Sequence, residues 1–426
     1  MLIFLPIFFL LIAMGTPIAF ALGIGSIAFI VLDTPLPAIF AIQRMFAGTD
    51  SFPLLAIPFF ILAGHLMSEG GVVRRLLDFA HVIVGHRRGG LGGASILGSM
   101  AFATVSGSAV ADAAAMGPIL IPAMKNAGYD PEYAVAINST SPSLGLIIPP
   151  SISLVLMASV ANQSVRDLFF ASLVPGIITG FGMLLVNWII SVRRNYPKGE
   201  KTPLRKIPLI VFRCVPALFM PLFIICGILF GIVTATEAAV IAVVYSLLIG
   251  LFFYRELTLK KIYRAFIEAG LQTAVVLFII ANASVLSGIL SFLMMPQALA
   301  AWALENLGHQ TVILVFVVVV ALIVSLVIDV SPAVILIGAI FAPVAMAVGM
   351  DMLHFSAVVV YALIIGIFTP PVGTTLIIST YIAKTSFLAG FRYCIPFLIL
   401  MLVILGFMVF FPQISSGVSM FLFHRG

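Results

Sequence analysis

Apolar runs long enough to cross a bilayer follow one another along almost the whole chain, separated by short polar connectors. A helix needs about 20 predominantly apolar residues to span the hydrocarbon layer. By that criterion the pattern predicts spans at about 1–13, 16–32, 52–68, 132–160 and 167–192, then at 209–233, 236–254, 267–293, 355–383 and 387–412. The first is short, but the joint behind it, Gly15-Thr16-Pro17, resembles Ala235-Thr236-Glu237 at the equivalent place further on. The stretch "GGVVRRLLDFAHVIVGH" at 70–86 is amphipathic and predicts an interfacial helix with Arg74, Arg75 and Asp78 facing polar surroundings.

Two apolar runs do not fit a simple crossing. The densest basic connectors, at Arg87-Arg88, Arg193 to Lys206 and Arg255 to Arg264, should face the cytoplasm, because positive loops set orientation. The segments 160–167 and 294–310 carry one basic residue at most and should face outward. The run 90–125 begins and ends on the basic side and is split by Ser106-Gly107-Ser108. The run 311–349 begins and ends on the opposite side and is split near Asp329-Val330-Ser331-Pro332. Each predicts a re-entrant helical hairpin.

The hairpins are copies of each other. Pro122 and Pro343 are 343 − 122 = 221 positions apart, and Gly117/Gly338, Gly128/Gly349, Asp130/Asp351, Gly145/Gly366, Pro149/Pro370 and Pro150/Pro371 share that spacing without a gap. One copy enters from inside and the other from outside, so the halves form an inverted repeat. The predicted fold is an all-α polytopic membrane protein of two inverted halves, 1–192 and 209–426, joined by a cytoplasmic linker at 193–208. Each half holds about five spanning helices plus a hairpin, with broken helices at 132–160 and 355–383. This is an architecture of ion-coupled secondary transporters, whose sites lie near the midplane where broken helices of the two halves meet.

Composition narrows the function further. The 426 residues are 62% hydrophobic and 8% charged, with a mean hydropathy of +1.27, which excludes a soluble domain. The net charge of +6 sits mainly in connectors, so it reports topology, and no nucleic-acid partner is expected. Met1 leads straight into apolar sequence without a basic n-region, so no cleaved signal is expected. Cys214, Cys226 and Cys394 are odd in number and widely spaced, which fits neither a disulfide framework nor a metal site. The six histidines lie mostly near predicted span ends and read as interfacial or structural. With no H-E-x-x-H, no G-x-x-x-x-G-K-[ST] and no histidine beside the hairpin serines, an intramembrane enzyme and an ATP-driven pump are disfavoured.

Non-helical backbone at membrane depth is tolerated only where protein buries it or a water-filled cavity meets it. Gly107 lets the first tip reverse, Ser106 and Ser108 supply oxygens, and Ser108 can cap the returning helix, whose N-terminal amides favour an anion. Asp112 either stabilises the first turn of that helix against its dipole or takes part in ion binding. At the second tip Asp329 is a candidate cation ligand, preceding Ser331 as N-cap and Pro332 as first helical residue. The polar run "NSTSPSLGLIIPPS" at 138–151 places Asn138, Ser139 and Ser141 inside a span, where Pro149 and Pro150 remove donors and free carbonyls. Its counterpart "TPPVGTT" supplies Thr369, Gly373, Thr374 and Thr375. Hydroxyls and freed carbonyls suit sodium, a hard cation; simple proline kinks are the plainer alternative. Where the first half holds Asn138 to Ser141, the second holds Val359-Val360-Tyr361-Ala362, so polar substrate contacts should lean on the first half.

These residues resemble the large membrane subunit of the tripartite ATP-independent periplasmic (TRAP) transporters. The likeness runs through "GTPIAFALG", "SFPLLAIPFFILAG", "SGSAVADAAAMG", "GYDPEYAVAINSTSPSLGLIIPPS", "GIVTATEAA" and "FTPPVGTTL", and so covers essentially the full chain. The resemblance implies a bacterial inner-membrane, sodium-driven importer of an organic acid such as a C4-dicarboxylate, a sialic acid or another sugar acid. It also implies a small four-helix membrane subunit as a separate chain, a periplasmic solute-binding protein, and an elevator-type motion of hairpins and broken helices past a fixed scaffold. Carried onto this chain, it implies one sodium site from Ser106 to Ser108 with the segment Ser141 to Pro150, and another from Asp329 to Ser331 with Thr369 to Thr374. The nearest rival is a stand-alone sodium/dicarboxylate carrier that shares the hairpin plan and needs no binding protein.

Overall fold

The computed structural model describes residues 4–199, 203, 205–415 and 417, with the side chains at 5 and 103–106 outside that set. The first half runs α1 (Phe4–Ala13), α2 (Ile18–Asp33), α3 (Ile39–Thr49), α4 (Ala56–Glu69), α5 (Val72–Val84), α6 (Gly90–Ser106) and α7 (Ala109–Asn126). It continues through α8 (Pro131–Thr140), α9 (Leu144–Ile147), α10 (Ile152–Val160) and α11 (Val165–Arg193). The second half runs α12 (Ile207–Leu229), α13 (Ala235–Leu248), α14 (Leu259–Phe292), α15 (Met295–Leu307), α16 (Gln310–Ser325), α17 (Val330–Ala347), α18 (Met352–Ile365), α19 (Thr374–Ala383) and α20 (Phe387–Phe410).

The 221-residue register holds at the level of elements. Shifting α7 gives 109 + 221 = 330 and 126 + 221 = 347, the two ends of α17. Gly128 and Gly349, which follow those helices, both have left-handed φ, at 88° and 73°. Local chemistry sets many helix starts: Ser108, Ser151, Ser164 and Thr258 each cap a helix through the side-chain oxygen, and Thr234 with Glu237 forms a full capping box.

Seven helices are long and apolar enough to cross a membrane, or up to nine if each bent pair counts as one span, among the described residues. The segment read as a first span contains α1, ten residues long, which is about 15 Å of helix against a hydrocarbon layer of ~30 Å. Three elements depart from the sequence reading. The supposed outward connector at 294–310 folds as α15, whose Ala300 and Ala303 pack on Val344 of α17 and on Val348 just beyond it; it is the counterpart of the amphipathic α5. Helix α14 begins at Leu259, eight residues before the predicted span at 267, because Thr258 caps it and Arg264 pairs with Glu268 one turn on, at 3.1 Å. Helix α3 fills a stretch the apolar pattern left unassigned; Gly48 lets it lie directly against Ser284 of α14.

The basic connectors gather at one end of the molecule. Arg88 bonds Asn195 at 2.9 Å, Arg75 pairs with Glu256 at 2.8 Å and lies over the Tyr254 ring, and Lys261 donates to the Glu69 carbonyl at 3.0 Å. The first hairpin, α6–α7, is based here: Asn187 donates to the Gly89 carbonyl, and Tyr129 stacks against Tyr196, with ring centroids 4.6 Å apart. At the opposite end Arg166 donates to the Leu229 carbonyl at 2.7 Å, and Gln310 donates to the Val348 carbonyl at 2.9 Å. The last bond closes the base of the second hairpin, α16–α17, so the hairpins enter from opposite ends.

Between them the helix breaks are tightly enclosed. A Cβ at Gly366 would collide with the Ser325 backbone carbonyl, whereas one at Gly270, inside α14, would meet nothing within 4 Å. Gly366→Ala should therefore lower thermal stability by about 1–3 kcal/mol, while Gly270→Ala should leave it unchanged or raise it by up to about 1 kcal/mol, both read by thermal unfolding in detergent. At the basic end Asp130 accepts from Arg194 and Tyr196, at 2.6 and 2.8 Å. Partial burial pushes its pKa up, but the hydrogen bonds from Tyr196 and Arg194 and the guanidinium charge outweigh that and hold it below the usual carboxylate range. A depressed pKa contributes stability that is present above the unfolded-state value and lost as pH falls through the folded one. Wild type and Asp130→Asn should accordingly differ by up to about 1 kcal/mol at pH 7, since the pair is half exposed, and converge on acidification towards pH 3.

Candidate functional site

At the first hairpin tip α6 ends at Ser106, whose side chain lies outside the described residues. Gly107 follows with φ +57°, and a Cβ there would press on Ile152 at 2.9 Å, so both backbone and space require glycine. Ser108 accepts from the Ala111 amide at 3.3 Å and caps α7, as its place in the sequence predicts. At the second tip the cap is Asp329, whose carbonyl accepts from the Ala333 amide at 3.1 Å. Ser331 and Pro332 are thus the second and third helical residues, two positions further in than the sequence suggested, because Asp329 is the last residue with extended backbone.

The two tips face one cavity of about 480 Å³. Gly107, Ser108, Asp329 and Ser331 line it from the tips; Leu146, Ile152 and Ile367 line it from the helix breaks. Its remaining wall is largely apolar and comes from α4 and α14, through Ile61, Val275, Val276 and Ile279. The first residues of α7 and α17, Ala109 and Val330, belong to the lining, so two helix N-termini meet there. Among the described lining residues Asp329 is the one ionisable group, and no lysine or arginine contributes. Positive potential for an anion must come from the helix ends or from bound cations.

Each tip rests on the break of its own half. In the first, the chain passes from α8 through a tight turn at Ser141–Ser143 and α9 to a cis Pro149-Pro150 bond, and α10 starts against Gly107 with an overall bend of 42°. In the second, α18 gives way to a turn at Gly366–Phe368, a cis Pro370-Pro371 bond and Gly373 at φ +55° before α19. There the Val372 amide donates to the Leu326 carbonyl at 3.3 Å, tying the break to the incoming arm of the second hairpin.

The remaining site residues named from sequence lie behind this cavity. Asn138 donates to the Ala113 carbonyl at 3.1 Å and to Ser379 at 2.9 Å, joining the first hairpin to α19. Ser141 accepts from Ser99 of the first hairpin at 3.1 Å, and Ser139 bonds back to the Val135 carbonyl at 2.6 Å. Pro149 and Pro150 are buried, Asp112 is fully buried in the first turn of α7, and Thr369 bonds back to the Ile365 carbonyl. Two oxygens of the set, Asn138 Oδ1 and Thr374 Oγ1, are buried without a hydrogen-bond partner among the described residues. Such oxygens fit a cation or an ordered water. In the second half Tyr361 takes the register of Thr140 and bonds Thr179 of α11 at 2.8 Å, so this copy is filled by packing.

Sequence reasoning named Thr375 without its cross-contacts and missed Gln272. Thr375 donates to the Ser139 carbonyl at 2.9 Å and lies 3.0 Å from the Ile367 carbonyl, stitching the two breaks together. Gln272 lines the cavity from α14, with His65 of α4 bridging Gln272 and Glu268 at 3.3 Å each. The available signal was a single amide in an otherwise apolar run.

The family profile described as "Tripartite ATP-independent periplasmic transporter, DctM component" matches residues 5–414. The C4-dicarboxylate TRAP transporter large permease protein DctM of Pseudomonas aeruginosa is 35% identical over 395 residues, 93% of this chain and 92% of that protein. The sialic acid TRAP transporter large permease protein SiaM of Vibrio cholerae is 33% identical over 401 residues, 94% of each. The solved structure of Neisseria gonorrhoeae MtrF superimposes with a TM-score of 0.61 at 13% identity, covering 91% of this chain and 85% of that one, a likeness of fold. The DctM and SiaM relatives are named as permease proteins of transporters, and a transporter subunit rather than an enzyme is what this chain resembles.

The geometry separates cavity-facing from enclosed positions. Cysteines placed at Gln272 or Ser331 should react with a water-soluble maleimide in the folded protein, whereas cysteines at Ser139 or Ser141 should react only after denaturation. Fast labelling at Ser141 would move the broken helix of the first half into the cavity wall.

Proposed function

The chain belongs to the DctM component family of the tripartite ATP-independent periplasmic transporters, and on that premise we propose that it imports an organic acid by sodium-coupled transport across the bacterial inner membrane. The substrate class is a C4-dicarboxylate, a sialic acid or another sugar acid. A periplasmic binding protein delivers it, and a small four-helix membrane subunit completes the complex. The observation that carries this reading is the meeting of two oppositely based hairpin tips around one cavity that contains no lysine or arginine.

In this reading the amide ends of α7 and α17 receive the carboxylate. Sodium ions are carried with it. One would take oxygens from the first tip, Gly107 and Ser108, and from the first break, where Asn138 Oδ1 is unpaired. The other would take oxygens from Asp329 and from the second break, where Thr374 Oγ1 is unpaired. With ~100 mV inside negative, each sodium gains ~2.3 kcal/mol and a tenfold gradient adds ~1.4, against ~2.3 for moving a monoanion inward. One sodium leaves only about tenfold accumulation; two leave ~5 kcal/mol, several thousandfold. Two repeat-related cation sites therefore suit an importer of anions.

The unit that moves comprises the hairpins and broken helices, and the apolar face of α4 and α14 is the surface they slide along. Ile61, Val275, Val276 and Ile279 are apolar and offer the tips no side-chain hydrogen-bond partner.

The decisive experiment is uptake of labelled succinate and N-acetylneuraminate into proteoliposomes holding this chain and its small partner, with and without an inward sodium gradient and the cognate binding protein. Uptake requiring both is expected; uptake with sodium alone would place the chain among stand-alone carriers, and sodium-independent uptake would overturn the cation sites. Within the same assay Thr374→Val, which keeps the shape and removes the unpaired hydroxyl, should raise the half-saturating sodium concentration about tenfold, a loss of ~1.4 kcal/mol, while Thr374→Ser should restore it.

A further inference from the structure

A second cavity, of about 470 Å³, lies between α3, the end of α10, α14 and α17, at the end of the molecule away from the basic connectors. Its chemistry is the reverse of the central one. Arg44, Asp50, Ser51, Ser159, Ser284 and Ser287 line it. Arg44 forms no ion pair or hydrogen bond among the described residues; its guanidinium lies 5.1 Å from the Phe40 ring centroid, and its Nε would be 2.9 Å from a Cβ at Gly288. Gly288 leaves room for the guanidinium, since a side chain there would run into it. The side-chain hydroxyls of Ser51, Ser159, Ser284 and Ser287 are likewise not engaged with protein among the described residues, and Asp50, also unpaired, stands in the same lining without neutralising Arg44.

A guanidinium without a protein partner among the described residues, in one lining with free hydroxyls, is matched by a carboxylate, which takes two parallel N–H bonds and accepts from serines. We propose that this cavity is a second organic-acid site, distinct from the one between the hairpin tips, in which Arg44 holds the carboxylate. The proposal rests on the organic-acid reading of the protein for its ligand class. The site supplies what the central cavity lacks: a permanent positive charge to draw an anion to the outer face of the moving unit. Its walls come from both sides of the sliding boundary, α3 and α14 on the fixed side and α10 and α17 on the moving one. A bound acid is therefore placed where the two meet.

The test uses Ser287→Cys in the purified full chain, with labelling of that residue by a water-soluble maleimide followed by peptide mass spectrometry, so that the native cysteines do not interfere. Succinate, N-acetylneuraminate and gluconate are the probes, and mannitol is the uncharged control. At least one acid should slow labelling and mannitol should not. Adding Arg44→Gln should weaken that protection by at least about tenfold, the scale of one charge-assisted contact, and Arg44→Lys should retain part of it. Equal labelling rates without acid show that the variants fold alike. Lack of protection by all three acids overturns the site, as does protection unaltered by Arg44→Gln. Uptake of an acid that gives no protection removes this proposal alone; protection by an acid that is never transported removes the transport reading and leaves the site standing.

Discussion

Every backbone amide and carbonyl inside a bilayer must be satisfied by the protein itself, because lipid offers no partner. Most of this chain meets that demand with continuous helices. At four places it does not: the tips at Gly107 and Asp329 and the breaks before α10 and α19. Those four places are gathered together at the centre, each tip against a break of its own half. The concentration of irregular backbone there follows from the constraint, and it is also what makes a site. Helix ends that would be a liability in lipid become a source of oriented dipoles in a cavity.

The second consequence is that the polar residues divide into two jobs. Ser99, Ser141, Asn138, Ser379 and Thr375 tie the first hairpin, the first break and α19 into one body through buried hydrogen bonds. Ser108, Asp329 and Ser331 face the cavity. Buried polar networks of the first kind hold a geometry but bind nothing further once their capacity is used. The unpaired oxygens of Asn138 and Thr374 mark where this division is incomplete, and an ion can complete it.

Charge is placed just as selectively. Basic side chains crowd the connectors at one end, the central cavity has none, and Arg44 stands in a polar cavity towards the other end. An anion crossing such a protein would meet a fixed positive charge first and movable or dipolar charge afterwards. Helix ends, rather than lysine or arginine, are the source of positive potential at the central cavity.

The sequence by itself determined the membrane class, the 221-residue repeat, both hairpins, both breaks and the cap at Ser108, because these depend on local rules: apolar length, glycine and proline placement, and the hydroxyl before a helix. It also picked out the tip residues Gly107, Ser108, Asp329 and Ser331 that the structure brings to one cavity. The tertiary structure alone decided which face each hydroxyl of 138–141 presents, since within a broken helix a rotation of one residue turns a side chain from cavity to packing. It alone placed Gln272 on the cavity wall and recruited 295–307 into a helix, because an amphipathic stretch folds only when a neighbour, here α17, covers its apolar face. Arg44 was invisible for the same reason: Ser159, Ser284 and Ser287, which give it meaning, lie more than a hundred residues away in sequence, and only the packing of α3 on α14, with α10 on the same cavity, brings them together.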